Sequence, residues 1–170
     1  ISITQAATRS SGTAGMAQTQ ASTGGEVLTF GGSVFGGRTL VLSSSGGDAS
    51  DLVDQINNDS RLRDYVNASL DNDGKLKLES RKYGAGGAFT LTSDQAASDS
   101  NSGIGTSGLT VTAGLDVAGT INGQAANGTG QFLMGASGTG IEGLQVMYTG
   151  STTGNVGSLT FTQGISNQMT

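Results

Sequence analysis

Apolar residues in this chain recur at every second position, in segments four to seven residues long that are cut off by Gly, Asn, Asp and Ser. That is the period at which side chains alternate between the two faces of a half-buried antiparallel strand, so the pattern commits the chain to short strands and many turns. Leu76 and Leu78 alternate with Lys75, Lys77 and Glu79, and Leu159 and Phe161 with Ser158, Thr160 and Thr162, which leaves one face of each ribbon wet. Strands are predicted over Ile1–Gln5, Glu26–Gly31, Arg38–Ser43, Tyr65–Leu70, Lys75–Ser80 and Ala88–Ser93. A second group covers Leu109–Ala113, Asp116–Ile121, Gln131–Leu133, Gly143–Thr149 and Ser158–Gln163.

One helix interrupts the pattern. Over Ala49–Asn58, Leu52, Val53 and Ile56 form one apolar stripe, and Asp48 followed by Asp51 supplies an N-cap with an acidic first turn. Such a helix is expected to lie across a sheet and cover its core face. In Leu70–Lys75, Asn72, Asp73 and Gly74 tolerate the positive φ of a tight hairpin between two matched strands. Residues 94–108 are Ser, Asp, Asn, Ala and Gly with only Ile104 to bury, which reads as a linker, and Ser10–Gly25 reads as a second loop. The expected fold is therefore mainly β, a β-rich α+β chain of two small antiparallel lobes, one carrying the short helix. Residues 24–101 make the helix-and-hairpin lobe, residues 1–20 and 106–170 the other, with 94–108 between them.

Composition removes whole classes of chemistry. The 170 residues include 30 glycines and no proline, cysteine, histidine or tryptophan. Without imidazole or thiol there is no Ser-His-Asp or Cys-His nucleophile, no thiolate or imidazole metal site, no disulfide framework and no haem or iron–sulfur ligation. Thirteen acids against eight bases give a net charge of −5, with no clustered Lys and Arg to meet a phosphate backbone, so nucleic acid is not an expected partner. Apolar runs of three or four residues, as in Leu144–Tyr148, do not span a bilayer, and no membrane partner is expected. The chain begins in mid-pattern with Ile1-Ser2-Ile3, as an excised fragment would, and its lack of cysteine suits an extracellular setting.

Several motifs have plain structural explanations. Gly103-Ile-Gly105-Thr-Ser-Gly108 satisfies a dinucleotide fingerprint as a string, yet a loop precedes it and a strand follows, whereas a pyrophosphate cradle needs a strand and then a helix. Asp71, Asp73 and Gly74 resemble the opening of a calcium loop, but the twelfth position is Lys82 rather than Glu. Asn67-Ala-Ser69 and Asn127-Gly-Thr129 are sequons of the kind that chance supplies in an Asn/Ser/Thr-rich chain. Asp51, Asp54, Asp59, Glu79, Asp116 and Glu142 are candidates for a carboxylate pair, and nothing in their spacing holds any two together. Phe30, Phe35, Tyr65, Phe89, Phe132, Tyr148 and Phe161 fall singly within strands, as core anchors do; Tyr83 is the eighth aromatic. No catalytic, cofactor-binding or metal-ligating residue is assigned, and the chain is not expected to be an enzyme or to carry a cofactor.

Two elements together are familiar. Asp51–Asn58, a helix ending in Ile56-Asn57, followed by the Tyr65–Gly84 hairpin, resembles the Ile-Asn motif unit of bacterial flagellar axial proteins. Asp116–Gln131, continuing into Glu142–Gly150 and Gly157–Ser166, resembles the outer domains of the flagellar filament cap family, hook-associated protein 2. Ile1–Ala7 is similar to the strand by which that family leaves its helical base, and Gly164–Met169 to the return into it. The family's long heptad-bearing terminal helices, which form a coiled coil, are absent from this chain. The resemblance implies an extracellular protein of the bacterial flagellum, exported through the flagellar channel without a cleaved signal peptide. It further implies a ring-like homo-oligomer at the filament tip that guides incoming flagellin subunits. Having no disulfide to form and no prolyl bond to isomerise suits a chain that folds after such an export.

Function is then expected in surfaces: strand edges and loop tips such as Ser98–Gly105 and Asn127–Gly130. The outer domain of a flagellin filament subunit is the alternative within the flagellum. A host-surface or glycan adhesin is another, and calls for an exposed aromatic shelf at Tyr83 or Tyr148 beside Asn or Asp. An enzyme would need carboxylates converging in a cleft. Without the helical base, the chain is expected to be a monomer in dilute solution.

Overall fold

The computed structural model of the chain describes residues 1–160. It contains β1 (Ser2–Gln5), β2 (Arg9–Thr13), β3 (Val27–Gly31), β4 (Leu40–Ser43), α1 (Ala49–Asn58), β5 (Val66–Leu70), β6 (Leu76–Tyr83), β7 (Thr90–Ser93), β8 (Thr110–Thr112), β9 (Ala118–Ile121), β10 (Gln124–Thr129), β11 (Phe132–Gly135), β12 (Gln145–Met147) and β13 (Gly154–Asn155). Every pairing is antiparallel, in three sheets ordered β4-β3-β7, β5-β6-β2-β8 and β12-β11-β10-β9-β1-β13. The mainly β expectation is met. Of the strand predicted over Ser158–Gln163, residues 158–160 are not in a strand; its remainder, Phe161 included, and the Gly164–Met169 segment lie outside the described residues.

Helix α1 has the predicted bounds, and its start explains why. Asp48 accepts the amides of Ser50 and Asp51 while the Asp51 carboxylate accepts the amide of Asp48, a reciprocal capping box that satisfies the first free donors. Its stripe is buried: Leu52 is 4% exposed and Ile56 fully enclosed, each burial contributing about 1.5–3 kcal/mol. The helix packs on β5. Here Asn57 makes a join of its own, its side-chain amide donating to the Ala68 carbonyl (2.9 Å) and accepting from the Ala68 amide (2.8 Å). One amide group thus treats the strand as a neighbouring strand would, and the helix and the hairpin become one unit.

Buried side chains fall into two clusters. The first gathers Leu28, Phe30, Phe35, Ile56, Leu78, Phe89, Leu91 and their neighbours under the two smaller sheets and α1. The second holds Ile3, Val117, Ile121 and Leu133 under the six-stranded sheet. Two adjacent passages of chain join the bodies, where the Thr8 amide donates to the Leu115 carbonyl and the Leu115 amide to the Thr8 hydroxyl, both at 2.9 Å.

The division of the chain differs from the expected one in two places. Residues 9–13, placed with the second lobe and in part with a loop, form β2, which sits between β6 and β8 in the first body; β8 belongs there too. The strand Arg9-Ser-Ser-Gly-Thr13 has no apolar residue to alternate, and its backbone is paired on both sides instead. The stretch 94–108 is packed rather than a free linker: Asn101 through Gly105 are buried, and Ile104 joins the first core. Strands β10 and β13 were not expected, and β6 runs three residues past Ser80.

Candidate interaction surface

What fastens the 94–108 stretch is Glu26, a carboxylate only 2% exposed. Its Oε1 accepts the hydroxyls of Ser93 and Ser102, both at 2.6 Å, and its Oε2 accepts the Ser102 amide at 3.0 Å. Three donors stand in for lost water, as a buried carboxylate requires. Asn101 completes the arrangement, donating to the Ala96 carbonyl and accepting the amides of Ser98 and Gly103. The Ser98–Gly105 segment is therefore half interior, and only its first residues are available as a loop tip. Glu26 did not stand out in the sequence, because it opens a strand otherwise read from its apolar residues.

The candidate carboxylates are dispersed, each held by its own surroundings. Asp59 pairs with Arg61 at 2.7 Å, and this bond holds the Asp59 carboxyl below its ordinary range and raises the guanidinium. Glu79 reaches Arg9 at 3.4 Å. Asp116 Oδ1 accepts the amides of Gly130 (2.6 Å) and Ala85 (3.3 Å), so one atom ties the second body to the first. Glu142 accepts the Gly138 amide and the Ser137 hydroxyl, which lower its pKa in that order. Asp51 serves the helix cap, and Asp54 stands beside it on the exposed side of α1. Among the described residues no three acids gather into a set that could hold a metal ion.

The other motifs resolve locally. Asp71 Oδ1 accepts the amides of Asp73 and Lys75, which builds the hairpin turn. Gly103, Gly105 and Gly108 all have positive φ, and strand β8 follows them with no helix. Asn67 and Asn127 are both exposed strand residues. Phe30, Phe35 and Phe89 are core anchors as expected, and Tyr65 packs edge-on to Phe35 at 5.5 Å. Tyr148 packs on the second core, its hydroxyl at 2.8 Å from the Thr152 carbonyl.

Phe132 is the exception, 42% exposed where a core position was expected. Strand alternation forces this: in Phe132-Leu133-Met134 only one face turns inward, and Leu133 takes it with no exposure at all. The register then aligns three rows on the outer face: Thr129–Phe132–Met147, Asn127–Met134–Gln145 and Ser2–Thr120–Ala125. None of these nine residues is charged. Met134 and Met147 are 46% and 54% exposed, so with Phe132 they form a contiguous apolar area on β11 and β12. The sequence carried a signal for it, three apolar residues in a row within a strand too short to be covered on both sides.

Charge is divided in the same sense. All eight Lys and Arg lie between Arg9 and Lys82, and eleven of the thirteen acids lie before residue 100, which leaves the second body only Asp116 and Glu142. Where the two bodies meet, a cavity of about 330 Å³ is lined by Arg81, Lys82, Tyr83, Asp116 and Phe132. The Arg9 guanidinium covers the Tyr83 ring at 4.6 Å. Among the described residues no helix is long and apolar enough to cross a membrane. In comparisons with known proteins, no family model, curated protein or solved structure matches the chain.

Proposed function

We propose that this chain is an assembly module of the bacterial flagellum, the outer part of a filament cap subunit of the hook-associated protein 2 family, and that it works through the surfaces it offers to other macromolecules. The observation that carries the reading is the behaviour of Ile56-Asn57. The pair on which the resemblance rests also does the joining, Ile56 fully buried in the first core and Asn57 bonded to both backbone groups of Ala68. A short helix locked to a hairpin in this way makes a rigid support for an outer body. In the full-length protein this module stands on a helical base that forms a ring, extracellular and at the growing end, where flagellin subunits are received.

Immunogold electron microscopy tests this. Antibodies raised against the chain are expected to label filament tips in the organism that encodes it. Label along whole filaments would instead support a filament subunit, and flagella without label would overturn both.

A glycan-binding reading draws on a different observation: Tyr83 lies beside Asp116 and Phe132 at the cavity between the bodies. It predicts saturable retention on a mucin surface that Tyr83→Ala abolishes, and equal retention of the two proteins would end it.

A further inference from the structure

We propose that the Asn122-Gly123 turn is a site of spontaneous covalent modification. In the folded protein its two residues close to a succinimide, which water opens to aspartate or isoaspartate, while the identical Asn127-Gly128 pair stays intact. The inference rests on this turn alone and is independent of the flagellar reading, so either can fail without the other.

The two Asn-Gly pairs belong to one hairpin and differ in what holds their backbone. Asn122 and Gly123 are the central residues of the turn closed by the Ile121–Gln124 pair, with φ of +53° and +73°. In a two-residue turn of this kind the hydrogen bonds join the flanking residues and leave the central amides free. Both residues are exposed, and among the described residues the Gly123 amide has no acceptor and the Asn122 side chain no partner. A Cβ at Gly123 would meet nothing within 4 Å, so the turn has room to change its conformation. The second pair lies inside the sheet. Asn127 is aligned with Met134 and Gly128 with Leu133, and the Val117 carbonyl stands where a Cβ of Gly128 would be. Asn127 is exposed as well, so backbone freedom rather than access separates the two.

The chemistry needs only water. The Gly123 nitrogen gives its proton to solvent and bonds to the Asn122 Cγ, while the Cγ–Nδ2 bond breaks and ammonia leaves with a proton taken from solvent. Water then adds to one of the two ring carbonyls. Opening at Cγ restores the main chain with aspartate; opening at the main-chain carbonyl routes the chain through the side chain as isoaspartate. Glycine favours the closure, having no Cβ to crowd the attacking nitrogen and the widest backbone freedom. At Gly128 the same attack must first lift β10 from its neighbours, a much larger opening than that of a hairpin tip. Either product gives the second body a third carboxylate beside Asp116 and Glu142. Isoaspartate also lengthens the main chain by a carbon, which a two-residue turn absorbs only by shifting Ile121, a member of the second core.

The test holds the full 170-residue chain in warm, mildly alkaline buffer, folded and in urea. Peptide fragmentation assigns the mass gained when an amide becomes an acid to position 122 or 127. In the folded chain the gain at Asn122 is expected about tenfold faster than at Asn127, because only the turn must open. In urea, where neither pair is held, the two rates are expected to agree within about twofold. Equal rates in the folded chain, a faster reaction at Asn127, or a gain at Asn122 seen only in urea overturn the proposal. Gly123→Ala crowds the attacking nitrogen and is expected to suppress the gain at Asn122, folded and in urea alike, with the Asn127 rate unchanged. An undiminished gain at Asn122 would mean direct hydrolysis of the side chain and would overturn the ring closure. Chain carrying isoaspartate, separated by chromatography, is expected to exchange the Ile121 amide faster while Leu28 keeps its protection; unchanged exchange at Ile121 would overturn the effect on the sheet.

Discussion

The two bodies of this molecule are built to different standards. The first buries fifteen apolar residues around a helix and two sheets, with three phenylalanines among them, and it carries nearly all of the charge. The second buries four beneath a six-stranded sheet, and many of its remaining apolar groups are only partly covered or about half exposed. Burial scales with what a body can enclose, so the first can stand as a folding unit while the second depends on being attached to it. A sheet with one thin core and half-exposed Phe132, Met134 and Met147 on its other face is also the part with surface to offer.

That dependence should be one-way, and two core truncations test it. Phe30→Ala is expected to cost about 3–5 kcal/mol and Leu133→Ala about 2–5 kcal/mol, the range for emptied core positions. Their reach differs more than their size. With Phe30→Ala, amide protection should fall throughout both bodies. With Leu133→Ala it should fall in β9–β12 and persist in β3, β6 and β7. Slow exchange in β9–β12 of the Phe30→Ala protein would show the second body standing alone, and the comparison would be broken.

A smaller effect is expected at Glu26, where the first body recruits the 94–108 stretch. In Glu26→Gln the Ser93 and Ser102 hydroxyls keep an acceptor, but the new NH₂ meets the Ser102 amide, donor against donor. The expected loss is about 1–3 kcal/mol, the cost of a buried group left unsatisfied, with faster exchange at Ser102–Gly105. Unchanged exchange there would show that the stretch packs for other reasons. This is also where the sequence was least legible. Helix α1 could be read to the residue, since an apolar stripe and an aspartate cap are local signals, and most strands announced themselves by alternation. A polar segment held by a distant carboxylate has no such signature, and neither does β2, whose place is fixed by pairing on both sides and by Gly12. A Cβ at Gly12 would lie 3.2 Å from the Thr110 carbonyl and from Val111. The candidate surface was half legible. Asn127–Gly130 fell near it, but as a loop tip rather than as β10 and its turn, and Phe132 was assigned inward because alternation gives two faces without saying which is the core.

The seam between the bodies is the next test. Asp116 Oδ1 accepts an amide from each side, and Gly84 is packed against that carboxylate at φ +81°. Asp116→Ala leaves the Gly130 and Ala85 amides without their acceptor. It is expected to cost about 1.5–3 kcal/mol, the scale of hydrogen bonds to a charged group. The loss should fall on the joint: faster exchange at Gly130 and Ala85, a changed spread of distances between spin labels placed one on each body, and unchanged protection at Leu28 and Leu91. If the label distances stay as they are, the two passages of chain at Thr8 and Leu115 hold the bodies without it.

The smallest expected effect separates the bodies by acid. Asp48 and Asp59 in the first, and Glu142 in the second, have carboxyl pKa values held below their ordinary range. The Ser50 hydroxyl leads at Asp48, the Arg61 guanidinium at Asp59 and the Gly138 amide at Glu142. A carboxyl that is easier to ionise when folded adds stability in full above its unfolded value, and that contribution fades as the pH falls below about 4. The turn over residues 136–144 should therefore loosen in acid together with the start of α1. In Glu142→Gln the turn's response should flatten while the helix start keeps its own, because an uncharged amide at 142 has no proton to gain. Amide exchange at Gly138 and Asp51, followed from pH 6 to pH 3, separates the two cases. A Gly138 response that persists in Glu142→Gln would mean that acid reaches the second body through the first, and the electrostatic half of the division between them would be lost.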